Sequence, residues 1–78
     1  MKACILIKTE PSKIKTVTKI VEKIEGVKIA FSVLGRTDVV ASVEASTLEE
    51  LSILAFKIGG TPGVIATETL VGLVGVEE

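Results

Sequence analysis

The chain has 78 residues, a net charge of −1, 47% hydrophobic residues and a mean hydropathy of +0.61. That length is one domain, and the single cysteine with no histidine excludes an internal disulfide and a zinc site. The charge balance, with no basic cluster, argues against a nucleic-acid surface, and no apolar run is long enough to cross a bilayer.

Residues 2–8 read as a strand. Both alternating sets are apolar, with Ala3, Ile5 and Ile7 against Cys4 and Leu6, the pattern of a strand covered on both faces. The run is too short for a signal h-region. Pro11 stands near the first helical position, where its missing N–H costs nothing. A helix is expected over residues 12–25, with Ile14, Val17, Val21 and Ile24 as the buried stripe. Lys15, Lys19 and Lys23 line its solvated side, and Gly26 is placed to stop it.

Residues 27–34 read as a second strand with Val27, Ile29, Phe31 and Val33 on one face, and residues 38–44 as a valine-rich third. The loop between them is short, so the pair is an antiparallel hairpin. Two overlapping capping boxes follow, Ser46 with Glu49 and Thr47 with Glu50. The second helix extends to about Ile58 and is expected to bury Leu48, Leu51, Leu54, Ala55 and Ile58. Ile53 and Phe56 fall on its outer side, either as plain exposed residues or as a second interface. A Gly59-Gly60-Thr61-Pro62-Gly63 breaker leads to a fourth strand from Val64 to about Val74.

The order strand, helix, strand, strand, helix, strand is an α+β, ferredoxin-like βαββαβ arrangement. It implies a four-stranded antiparallel sheet with both helices on one face. Cys4, Leu6, Val40 and Val71 are expected on the other face, which a second copy would cover. A domain this small buries only about 60% of its unfolded surface, so pairing also supplies stability.

Few residues offer chemistry. Cys4 lies within a strand with no base nearby, the setting of an inert thiol. Lys57-Ile58-Gly59-Gly60-Thr61 lacks the spacing of a phosphate loop and follows a helix where such a loop precedes one. Without His, Asn, Gln, Trp or Tyr, acid–base catalysis and base stacking have few tools; no enzyme activity, cofactor or metal is expected. The absent amides, with Lys, Glu, Ile and Val in their place, hint at a thermophile. One reducing-compartment cysteine fits a cytoplasmic protein.

The remaining candidate is Gly35-Arg36-Thr37-Asp38. Gly35 tolerates backbone conformations other residues resist and leaves room for a ligand. Asp38 can accept from an ammonium group, loop N–H groups can hold a carboxylate, and Arg36 adds a cation. A plain hairpin turn with a surface ion pair explains the same residues. Thr67, Glu68 and Thr69 supply further polar groups, although alternating threonines also suit strands.

Ile24-Glu25-Gly26-Val27, Leu34-Gly35-Arg36-Thr37-Asp38-Val39-Val40, Leu48-Glu49-Glu50-Leu51 and Pro62-Gly63-Val64, followed by Thr67-Glu68-Thr69, resemble the effector-binding (RAM) domain of Lrp/AsnC transcription regulators. The resemblance covers nearly the whole of residues 1–78 and lacks the family's helix-turn-helix. It implies a stand-alone amino-acid-sensing module that dimerises through its sheet and assembles into larger rings. It implies effector binding between dimers, with Gly35 and Asp38 foremost and Thr67 and Thr69 behind them. A full-length Lrp/AsnC regulator is the implied partner, without direct DNA or membrane binding. Thr37 departs from the aromatic residue common before the family's aspartate. An ACT-like regulatory domain shares the fold, but its glycine at the first strand-to-helix turn has no counterpart beside Pro11 and Ser12. A ligand-free oligomerisation module is the other alternative.

Overall fold

In the computed structural model, which describes residues 1–73, the elements follow the expected order. Strand β1 (Lys2–Thr9) leads through a 3₁₀ turn (Pro11–Lys13) into helix α1 (Ile14–Val21). Strands β2 (Val27–Ser32) and β3 (Val39–Glu44), helix α2 (Leu48–Gly59) and strand β4 (Val64–Val71) complete it. The sheet order is β2-β3-β1-β4 with every pairing antiparallel. Val74, where the fourth strand was expected to end, lies outside the described residues.

The core sits between the sheet and the helices. Ala3, Ile5 and Ile7 from β1, Val39, Ala41 and Val43 from β3, and Val17, Val21, Leu51, Leu54 and Ile58 from the helices are buried. Ile14, Ile24 and Ala55 pack partly buried against them, as the helical spacing requires. Leu48 departs from its expected place: it is 60% exposed, in a first turn of α2 whose residues 48–50 all face outward. Of the two capping boxes, Thr47 with Glu50 forms in a shifted version, its return bond reaching the amide one residue before the N-cap. The Glu50 amide donates to Thr47 Oγ1 at 3.1 Å, and Glu50 Oε1 accepts from the Ser46 amide at 3.0 Å.

Helix α1 is a turn shorter than expected. Beyond Val21 the chain tightens into i→i−3 bonds, Lys23 N–H to Ile20 O and Ile24 N–H to Val21 O. Gly26 then turns the chain with a φ of +100°.

Two face assignments change. In β2, Val27 pairs with Val43 and Ile29 with Ser42, so a bulge absorbs one residue between them. Side chains opposite one another share a face. Val27 and Ala30 therefore point to the core, while Ile29 and Phe31 point to the open face with Val40. Val33 lies beyond the strand. Val71 pairs with buried Ala3 and so belongs to the helix side; Leu70, opposite Cys4, takes its place on the open face. Cys4, Leu6 and Val40 stand there as expected. The open face thus carries Cys4, Leu6, Ile29, Phe31, Val40 and Leu70. Ile53 and Phe56 are 62% and 81% exposed on the far side of α2.

Gly63, like Gly26, stands at a turn that requires glycine. Its φ is +97°, and a Cβ built there would lie 2.9 Å from the Lys13 Cβ and 3.1 Å from the Val17 Cγ2. Gly63→Ala should lower unfolding free energy by about 1–2 kcal/mol from backbone strain, with a further loss from the clash. Gly35→Ala should leave stability nearly unchanged, since nothing lies within 4 Å of its would-be Cβ. Urea unfolding of both variants checks the contrast.

Candidate functional site

Loop 33–38 lies at the end of the sheet where β1 finishes and β4 begins. Antiparallel pairing brings Val39 and Thr67 to either side of Ile7. Two strand spacings separate them, roughly 10 Å.

The loop is fastened at its end. The Val33 amide donates to Asp38 O at 2.9 Å, and the Asp38 amide donates to Ile7 O at 2.9 Å. Asp38 Oδ2 accepts from the Thr9 amide at 2.9 Å and lies 3.7 Å from Lys8 Nζ. The buried Thr9 hydroxyl is 3.5 Å from the same oxygen and donates to Glu10 O at 3.0 Å. Next to it, the Glu10 amide donates to Gly63 O at 2.9 Å, so the three loops at this end are bonded together.

Asp38 is already engaged within the chain. Its carboxylate, 18% exposed, turns towards the end of β1 and takes the last N–H that β3 would otherwise accept. Its cation partner is Lys8; among the described residues neither of the two ion pairs includes Arg36. Gly35 has no positive φ, so the conformational freedom expected of it is unused; what remains is open space around its Cα. Leu34, Gly35 and Arg36 are exposed and Thr37 is half-buried.

The threonine strand divides between faces. Thr67 and Thr69 pair with Ile7 and Ile5 on the helix side, Thr67 exposed and Thr69 half-buried. Glu68 pairs with Leu6 on the open face. Among the described residues, clefts of about 740 and 610 Å³ open on the surface, and neither of these is lined by residues 35–38 or 67–69. The larger, between Glu25, Glu44 and Glu50, opens at the opposite end of the sheet; the parity of the strands gave no sign of it. The smaller lies along α1. Among the described residues there is no cluster of His, Cys, Asp and Glu that could hold a metal, and no helix long and apolar enough to cross a membrane.

Together these features define a ferredoxin-like domain with an exposed, fastened hairpin loop. The chain matches the family model for the Lrp/AsnC ligand binding domain over residues 2–76 and belongs to that family, a family of regulatory ligand-binding domains. Its backbone is similar to TTHA0845 from Thermus thermophilus, with a TM-score of 0.90, 27% identity, and 99% of this chain and 98% of that one covered. It is similar to the hypothetical protein PHS023 from Pyrococcus horikoshii, with a TM-score of 0.85, 30% identity, and 94% and 89% covered. AsnC of E. coli shares the fold at a TM-score of 0.85 and 20% identity; the match covers 99% of this chain and 53% of that one. No curated protein matches.

Asp38→Ala should unfold more easily by about 1–3 kcal/mol, because the buried Thr9 N–H loses its acceptor. Asp38→Asn keeps a carbonyl oxygen and should recover much of that loss. Thermal unfolding of the two variants, with amide exchange at Thr9 rising only in the alanine form, checks the assignment.

Proposed function

We propose that this domain senses an amino acid as an oligomer and passes that state to a transcription regulator of the Lrp/AsnC type. The observation that carries the reading is the family match over residues 2–76 together with a Gly35-Arg36-Thr37-Asp38 loop, exposed at Gly35 and Arg36, at the end of the sheet. A loop of this kind makes a small-ligand site when a second copy closes over it. Gly35, Arg36, Thr37 and Asp38 form the loop side of that site, with Thr67 and Thr69 beyond β1. Glu68, on the other face, lies where a paired copy would bury it.

The pairing surface is the open face of the sheet. It exposes Phe31 by 46%, Ile29 by 56% and Leu70 by 48%, and its centre holds Leu6 and Val40. Burying such side chains stabilises by roughly 25 cal/mol per Å² of apolar area. A second copy supplies a face of the same shape and polarity under two-fold symmetry. The apolar side of α2, with Ile53 and Phe56, suits contacts that build dimers into rings. With a net charge of −1 and its lysines spread along the sequence, the chain offers little electrostatic hold on DNA; any effect on transcription passes through co-assembly with a full-length regulator in the cytoplasm.

Light scattering should find no folded monomer at micromolar concentration, and Leu6→Glu should dissociate the dimer by placing a charge at the centre of the buried face. Calorimetric titration with each proteinogenic amino acid should find one that binds in the micromolar to millimolar range. A monodisperse oligomer that binds none of them would favour the ligand-free assembly module.

A further inference from the structure

Strand β4 lies at an edge of the sheet, and of the four strands it alone has no buried residue. An edge offers open N–H and C=O groups to any passing strand, and lysine, proline or a bulge usually blunts it. Strand β2, the other edge, carries Lys28 and the bulge after Val27. Strand β4 has neither lysine nor proline, and its register shift falls at its start, beside Thr9. From Ala66 to Val71 it is regular, and its threonines and valines favour pairing.

The direction of its backbone groups follows from the ladder. The Gly72 amide donates to Lys2 O at 3.0 Å. Bonds in an antiparallel pair alternate, so Leu70, Glu68 and Ala66, opposite Cys4, Leu6 and Lys8, also bond to β1. The odd residues of β1 turn the other way, as the bonds into Met1 O and Ile7 O from Ala45 and Asp38 show. Thr67, Thr69 and Val71 therefore aim their N–H and C=O groups at the free edge.

We infer that this edge pairs with β4 of a second copy, antiparallel about a two-fold axis through Thr69, to make one continuous sheet across both copies. Thr69 stands opposite Thr69 of the second copy, and Thr67 opposite Val71 in both directions. All three outward-facing residues are thereby matched, with side chains on the helix side of the sheet. Glu68 meets Leu70 on the open side, so no like charges stand directly opposite. An axis through Glu68 would oppose two carboxylates, which destabilises a pair. An axis through Thr67 would set Val71 against Gly63, which sits in a turn with a positive φ. The edge is separate from the open face; where the face pairs copies as well, the edge joins those pairs into larger assemblies.

The test is Thr69→Pro in the full chain, followed by light scattering and amide exchange. Proline fits an edge position whose N–H faces outward, and no bond to β1 is lost. The variant should keep its circular dichroism, and its assembly mass should fall to half or less of the wild-type value. The Thr67 and Val71 amides should exchange at least about tenfold faster in the variant than in the wild type, while the Leu70 amide, bonded to β1, stays slow in both. Equal masses, or Thr67 and Val71 amides that already exchange fast in the assembled wild type, overturn the inference. Face pairing is judged separately by Leu6→Glu and survives either result.

Discussion

One layer of helices covers one side of a sheet, and that constraint governs this domain. Helices α1 and α2 both lie over the face formed by Ile5, Ile7, Val39 and Val43. Among the described residues, nothing covers Cys4, Leu6, Val40 and Phe31. The central strand β1 is apolar on both sides, so the fold is finished on one face only. The core alone is small: twelve buried hydrophobic residues among those described, four of them alanine or valine from β3 and the end of β2. For a chain of this size, the area left on the second face is large compared with the few kcal/mol by which such domains are stable.

The βαββαβ order was legible because each element carries a strong period or a strong stop. Alternation in β1 and β3, the Ile14–Val17–Val21–Ile24 stripe and the glycine-rich break after Ile58 leave few other topologies. Face assignments were less legible. A strand's period of two holds only while each residue pairs with one opposite, and the bulge after Val27 breaks that count. The sequence Val27-Lys28-Ile29 alternates as any strand does. What moves Ile29 outward is the pairing with Ser42, a long-range fact. Val71 fails for the same reason: its side follows from its partner Ala3, across a register that β4 alone does not specify.

The candidate loop shows the same division between local and distant information. Glycine, arginine and aspartate so close together mark a polar turn, and the structure places that turn at an exposed end of the sheet. The direction of the aspartate could not be read from its neighbours. It depends on Thr9, twenty-nine positions away, whose amide sits where β1 outruns β3. Arg36 was the obvious ion-pair partner by proximity in sequence; Lys8 takes that place because the strand pairing brings it alongside. Gly35, singled out for conformational freedom, uses none. The glycines that need it are Gly26 and Gly63, both at turns that close a helix onto a strand.

The Asp38 fastening also joins the two surfaces on which the functional reading stands. Lys8 follows Leu6 on the open face, and its ammonium group reaches the carboxylate that holds the loop. The adjoining Thr9 amide bonds the same oxygen, and Glu10 carries the connection on to Gly63. A loop held in this way moves with the end of β1, the strand that lies under the centre of the open face. Any change in loop position on ligand binding is then felt at Lys8, at the rim of the surface where copies would pair. Coupling of this kind is reciprocal: if ligand favours one arrangement of copies, that arrangement favours ligand by the same factor. The Lys8–Asp38 contact is half-exposed and contributes little energy by itself. Its importance lies in geometry, because it ties an exposed hairpin loop to a central strand of the sheet.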